Sequence, residues 1–286
     1  MSQSLLATPA VSRLVDLALD EDLGRGDCTT AALIPSDVRA TADMVARNKL
    51  VVAGLEVADA VFRRLDPQVS IQGSVRDGDE VGAGTVVRTY RGTAAALLSA
   101  ERTALNFVQR LSGTATLTRA FVAAASGSSL RITDTRKTTP GFRLLEKYAV
   151  RMGGGSNHRF DLGSGVLIKD NHLVVTTSII EAIRRARAQV PHGLKIEVEV
   201  DTLAQLDQAL AAGADIVLLD NFTLADVETA VTRTRSLNPR PLLEVSGGVT
   251  LARIPELARV GVDLVSVGAL THSAPAVDLG LDFEMA

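Results

Sequence analysis

The sequence predicts an α+β amino-terminal domain followed by a parallel α/β barrel. Three observations carry this. Between Ala40 and Thr93, short alternating runs mix with one short helical run and several glycine turns. After Gly113, strand-like and helix-like segments alternate at intervals of about 20–30 residues, which calls for a parallel sheet. No dinucleotide fingerprint opens that alternation, and the glycines suited to phosphate come late, which favours a barrel over an open doubly wound sheet.

The elements follow in order. Thr8-Pro9 supplies an N-cap and a first-turn proline for a helix running to about Asp20. Ala40–Ala46 and Val69–Val75 roughly alternate, as half-buried strands do, with Leu55–Leu65 a helix between them. Asp77-Gly78, Gly82 and Gly84 read as turns. A long helix is expected from Thr93 to Leu111, with Glu101-Arg102 in its middle. The expected barrel strands are Leu130–Thr133, Val166–Ile168, Leu194–Val200, Ile216–Leu219, Leu242–Val245 and Leu264–Val267. Helices are expected at Ile179–Gln189, Leu203–Ala212, Leu224–Arg235 and Leu251–Val260.

Composition narrows the class. The 286 residues suffice for one large domain or two ordinary ones, and 46% hydrophobic with 22% charged residues is the mix of a folded protein. Aromatics are only 3%, so the core must be built from Ala, Val, Leu and Ile, and base stacking is not expected. A net charge of −3 provides no basic field for polyanions, so nucleic acid is not an expected partner. No apolar stretch reaches the ~18 residues of a membrane span and no signal peptide is evident, so a cytoplasmic protein is expected. Cys28 is the single cysteine, which excludes an intrachain disulfide; a small packed residue is a better reading of it than a nucleophile.

The chemistry collects at the carboxy-terminal strand ends. These carry Asp134, Lys169-Asp170, Glu199, Asp220-Asn221, Ser246-Gly247-Gly248 and Gly268, and in a parallel barrel all of them face one mouth. Ser246-Gly247-Gly248 and Gly268-Ala269 follow the last two strands, where backbone N–H groups can approach phosphate oxygens. Glu199 and Asp220 are paired carboxylates able to hold Mg²⁺, directly or through water, or to bind ribose hydroxyls. Glu197 and Asp201 alternate with Glu199, and periodicity does not rank the three. Residues 131–172 are net positive, with Arg131, Arg136, Lys137, Arg143, Lys147, Arg151, Arg159 and Lys169. Arg143, Lys147 and Arg151 fall on one helix face and read as solvated; Arg136-Lys137, Asn157-His158-Arg159 and Lys169 suit a compact, multiply anionic ligand. His158 and His172 lack the spacing and the third soft ligand of a zinc site.

Longer motifs resemble a known family. Glu101-Arg102-Thr103-Ala104-Leu105-Asn106, Asp134-Thr135-Arg136-Lys137-Thr138-Thr139-Pro140-Gly141 and Gly153-Gly154-Gly155-Ser156-Asn157-His158-Arg159 are similar to quinolinate phosphoribosyltransferase motifs. So are Lys147-Tyr148-Ala149-Val150, Ile168-Lys169-Asp170-Asn171-His172, Glu197-Val198-Glu199-Val200, Leu219-Asp220-Asn221, Ser246-Gly247-Gly248 and Val267-Gly268-Ala269-Leu270-Thr271-His272-Ser273, in the same order from about Asp20 onward.

The resemblance implies an α/β sandwich domain over residues 1–112 and an incomplete parallel α/β barrel over 113–272, with the tail 273–286 packing back on the first. It implies homodimers with shared active sites, with hexamers as a larger alternative. Arg136, His158, Arg159 and Lys169 would hold the two carboxylates of quinolinate, with Thr135 as a further substrate contact. Arg102 would reach into the neighbouring subunit's site. Lys137, Glu199 and Asp220 would face phosphoribosyl pyrophosphate and its Mg²⁺, and Ser246, Gly247, Gly248, Gly268, Ala269 and Leu270 its 5′-phosphate. Lys137, Lys169, Glu199 and Asp220 would be the catalytic groups. The implied reaction yields nicotinate mononucleotide, CO₂ and pyrophosphate, in NAD biosynthesis. The alternatives are a paralogue associated with molybdenum transport, a nicotinate phosphoribosyltransferase, or a non-catalytic anion-binding homologue.

Overall fold

A computed structural model describes residues 5–176 and 178–285. The chain begins with α1 (Pro9–Leu23), α2 (Cys28–Leu33), β1 (Arg39–Ala46), β2 (Leu50–Val51), α3 (Leu55–Leu65), β3 (Ser70–Gln72), β4 (Glu80–Val81), β5 (Val86–Thr93) and α4 (Ala94–Ala124). It continues through β6 (Arg131–Thr133), α5 (Arg143–Met152), β7 (Val166–Ile168), α6 (Asp170–Thr176), α7 (Ile179–Gln189), β8 (Ile196–Val200) and α8 (Leu203–Ala211). The last elements are β9 (Ile216–Asp220), α9 (Leu224–Thr234), β10 (Leu242–Ser246), α10 (Ile254–Val260), β11 (Leu264–Ser266), α11 (Ala269–His272) and β12 (Leu279–Met285).

Two compact units result. The first holds the described residues up to Arg119, Thr139–Gly154 and the chain from Ser273 onward. Its main sheet runs β12-β1-β5-β3, antiparallel throughout. Alternation in β1 buries Ala40, Ala42 and Met44, and α3 presents Leu55, Val57, Ala58, Val61 and Phe62 to the same hydrophobic cluster. Each such large aliphatic side chain contributes about 1.5–3 kcal/mol by leaving water. Tyr90 stacks on Phe62 with centroids 3.8 Å apart, and its hydroxyl donates to Asp59 at 2.9 Å, which satisfies the polar end of a buried ring.

The first unit departs from expectation in several ways. Gly113 does not end the long helix, which runs 31 residues to Ala124. The glycine serves close approach instead: a Cβ there would lie 2.0 Å from the carbonyl oxygen of Pro275. Residues 113–119 and 139–154 pack with the first unit. The cause is α5, which buries Leu145 and Ala149 in that unit's apolar cluster. Lys147 is 0% exposed rather than solvated, beside Glu146, which is equally buried and accepts from the Thr139 backbone N–H at 3.0 Å and its hydroxyl at 2.9 Å. Cys28 is exposed in the first turn of α2, not packed.

The second unit comprises Ala120–Thr138 and Gly155–His272. Its six strands run β6-β11-β10-β9-β8-β7, and every pair is parallel. The sheet is an incomplete barrel: β6 and β7 are not paired with each other, and beside β6 a single parallel bridge joins Thr133 to Ser156. Alternation along β8 sends Ile196, Val198 and Val200 outward under helices, where they are fully buried, and Glu197 and Glu199 inward. Leu218 and Asp220 of β9, Glu244 and Ser246 of β10, and Ser266 of β11 face inward by the same parity. No helix among the described residues is long and apolar enough to cross a membrane.

Candidate active site

The carboxy-terminal strand ends enclose a cleft of about 460 Å³. One wall is cationic. After β6, the loop carries Arg136 and Lys137; the Lys137 backbone N–H donates to the Thr135 hydroxyl at 3.0 Å, and its carbonyl accepts from the Thr271 hydroxyl at 2.7 Å. The loop is therefore pinned by its backbone while the Lys137 side chain stays exposed. Asp134 is fully buried and staples the next segment, accepting from Asn157 Nδ2 at 2.5 Å and the His158 N–H at 3.0 Å. That staple delivers Arg159, whose guanidinium donates to the Gly165 carbonyl at 3.1 Å. Burial, and then the positive charge of Arg136, lower the pKa of Arg159, while Glu197 acts in the opposite sense. The Nε of Arg136 is buried without a hydrogen-bond partner. Two guanidinium groups thus crowd one wall, a configuration that favours an incoming carboxylate.

The opposite side is mixed. Lys169 ends β7 and forms an ion pair with Glu199 of β8. Asp220 ends β9 and accepts from Asn221 Nδ2 at 2.7 Å. Asn221 has φ 56°, and its N–H donates to the Ser246 carbonyl at 3.0 Å. Gly247 follows with φ 90°, and a Cβ there would sit 2.2 Å from Asn221 Oδ1. Glycine is required by both conformation and space.

The barrel interior beneath the cleft is polar. His158 Nε2 lies 3.1 Å from Glu197 and 3.7 Å from Glu244. Glu244 is pushed up to about 7, first by burial and second by the negative charge of Glu197. Near neutral pH Glu244 is therefore only partly ionised. A second cavity, of about 420 Å³, opens at the other end of the strands, beside Arg131, Lys195, Ile216, Leu242 and Leu264; His158, Arg159 and Glu244 line both cavities.

A sequence model of the quinolinate phosphoribosyl transferase N-terminal domain matches residues 27–112, and that of the C-terminal domain matches 114–282. The chain belongs to the quinolinate phosphoribosyl transferase family. A nicotinate-nucleotide pyrophosphorylase [carboxylating] of Mycobacterium leprae is 46% identical over 93% of this chain and 94% of its own. A probable enzyme of the same name from Bacillus subtilis is 43% identical over 92% of this chain and 89% of its own. The crystal structure of NadC from Streptococcus pyogenes superposes with a TM-score of 0.94 at 39% identity, covering 100% of both chains.

Within this quinolinate phosphoribosyl transferase fold, the cleft brings together Thr135, Arg136, Lys137, His158, Arg159, Lys169, Glu199, Asp220 and Ser246. Gly247 and Gly248 continue from Ser246, and Gly268 and Ala269 follow β11. Leu270 offers little to a ligand: its side chain is fully buried and its N–H donates to the Val267 carbonyl. Arg102 belongs to the first unit, where it lines a cavity with Glu21, Asp22 and Arg110. Arg131 lines the cavity at the opposite strand ends, so it leaves the cationic group inferred from the linear sequence. Sequence reasoning did not single out Glu244 or Ser266. The signal for Glu244 was a carboxylate inside the apolar run Leu242-Leu243-Glu244-Val245.

Proposed function

We infer that this protein transfers the phosphoribosyl group of phosphoribosyl pyrophosphate to quinolinate with loss of CO₂, giving nicotinate mononucleotide and pyrophosphate in NAD biosynthesis. The observation that carries the reading is the pair Arg136 and Arg159 on one wall of the cleft, facing Lys169 and Glu199. Two guanidinium groups suit two adjacent carboxylates, because each planar fork can bind one of them bidentately. In this reading Arg136, Arg159 and Lys169 orient quinolinate so that its ring nitrogen faces C1′ of the ribose. Asp220 and the turn at Gly247-Gly248 hold the ribose and its 5′-phosphate, and the exposed Lys137 side chain meets the pyrophosphate. Bond formation at nitrogen leaves the ring cationic. The bond to the C2 carboxylate then breaks, its electron pair stays beside N⁺, and Lys137 or Lys169 delivers a proton to C2.

Magnesium fits the donor set. Glu199 and Asp220 end neighbouring strands and offer hard carboxylate oxygens, and Mg²⁺ characteristically takes one or two carboxylates with substrate phosphates. When bound, it supplies neutralisation of charge on the departing pyrophosphate. A homodimer completes the proposal: Arg102 is exposed and has no ion pair among the described residues, as expected of a group that serves a second copy's site.

The test follows CO₂ release from quinolinate with phosphoribosyl pyrophosphate and Mg²⁺, with nicotinate in parallel. Quinolinate should turn over, and nicotinate should fall behind by about 10³-fold or more in kcat/KM, since it leaves one guanidinium unpaired. Silence with quinolinate from folded protein would instead favour the molybdenum-associated paralogue. A second expected result concerns the glycine turn. Gly247→Ala should raise the KM for phosphoribosyl pyrophosphate about tenfold and leave that for quinolinate nearly unchanged, because Asn221 must move and a left-handed φ costs about 1–2 kcal/mol. Equal effects on both substrates would refute the assignment of this turn.

A further inference from the structure

His158 lines the cleft, yet both of its ring nitrogens face the chain. Nδ1 accepts from the Arg159 backbone N–H at 2.8 Å, so the neutral ring carries its proton on Nε2. Nε2 in turn lies 3.1 Å from Glu197 Oε2 and 3.7 Å from Glu244 Oε1. The three side chains have ligand atoms within 4.8 Å of one another, which would admit a metal ion on distance alone. The tautomer argues against that reading, because a protonated Nε2 has no lone pair to give a metal. It suits a donor directed at Glu197, with the Glu244 carboxyl close behind.

We propose that Glu197 and Glu244 are positioning residues that hold His158 as an Nε2–H donor, and that His158 serves the substrate cleft by fixing the backbone at Arg159 rather than by gripping a quinolinate carboxylate with a ring nitrogen. Three features support this. Glu197 and Glu244 are 5% and 1% exposed, and each keeps one buried oxygen without a hydrogen-bond partner, so both carboxylates sit there at a desolvation cost with no other evident use. They project from β8 and β10, and Glu244 is flanked in the sheet by Leu218 of β9 and Leu264 of β11. The other groups facing Glu244 are Asp134 and Ser266; the Ser266 side chain hydrogen-bonds the carboxyl, and of the groups around it only His158 brings an N–H of its ring toward Glu244. The chain running from Glu197 through His158 to the Arg159 N–H therefore links the barrel core to the guanidinium wall.

This inference rests on the quinolinate reading for its kinetic arm only. The direct arm is ¹⁵N NMR of the histidine-labelled resting enzyme, with the His158 signals assigned by their loss in His158→Asn. The wild-type ring should show a single Nε2–H tautomer with Nδ1 as acceptor, and Glu244→Gln or Glu197→Gln should give a mixture of tautomers. In the kinetic arm, Glu244→Gln should raise the quinolinate KM about tenfold, as loss of an outer partner typically does, with kcat and the KM for phosphoribosyl pyrophosphate within about twofold of wild type. An Nδ1–H tautomer in the wild type would overturn the proposal whatever the substrate is. So would a single unchanged tautomer in both Gln variants, or a Glu244→Gln enzyme that loses kcat at unchanged KM.

Discussion

Arg159→Ala is expected to lower kcat/KM for quinolinate by about 10²–10³-fold, because truncating one partner of a desolvated charge pair costs about 2–5 kcal/mol. The loss should fall on quinolinate alone, with the KM for phosphoribosyl pyrophosphate moving little. Arg136→Ala should behave alike, since its buried Nε has no partner within the chain and awaits an acceptor. The two substitutions should not add. Removing either guanidinium relieves the repulsion that lowers the Arg159 pKa, so the double variant should lose less than the product of the single losses. Steady-state kinetics at saturating phosphoribosyl pyrophosphate would read both effects. A loss below about fivefold from each single variant would remove these residues from the carboxylate site.

Asp220→Asn is expected to cut kcat/KM for phosphoribosyl pyrophosphate by about 10²–10³-fold, the usual size for one group that stabilises charge in the transition state. Asp220 already accepts a hydrogen bond from Asn221, so the amide keeps the shape of the site while removing the negative charge. The magnesium concentration for half-maximal activity should rise in the same variant. Glu199→Gln should share that metal signature, with an added loss on quinolinate because Lys169 is released from its ion pair. Unchanged magnesium dependence in both variants would show that the metal is held by substrate phosphates alone.

Much of this was legible in the sequence, and the misses have physical causes. Parallel strands buried on one face by helices read as apolar runs, and all six barrel strands lie within two residues of their expected bounds at each end because strand lengths and turns agree. Glu197 and Glu199 could not be ranked because both point inward. Depth in the barrel depends on register with neighbouring strands, which places Glu197 beside Ile216 and Glu199 beside Leu218, one layer nearer the mouth. Lys147 was misread because helical spacing alone makes it a surface cation; its burial follows from the side of α5 that packs into the first unit. That residues 139–154 pack with the first unit does not show in sequence order, because the chain leaves the second unit and returns to it. Glu244 lay hidden in an apolar strand, where a carboxylate is costly unless another part of the chain brings it a partner.

Strand β12 has a consequence for the order in which the protein acquires its structure. The strand lies against β1 along its full length, from Ala40↔Met285 to Ala46↔Leu279, and the Arg47–Asp282 ion pair closes the same edge. The first sheet to leave the ribosome is therefore finished by a strand that emerges only after every strand of the second unit. Until then, β1 presents an unpaired edge, the kind of surface on which nascent chains stick to one another. The second unit, with all its strands between Arg131 and Ser266, can form while that edge waits. A ribosome-stalled chain ending at residue 272 should thus protect its barrel amides from exchange before those of β1, and emergence of β12 should close the sheet.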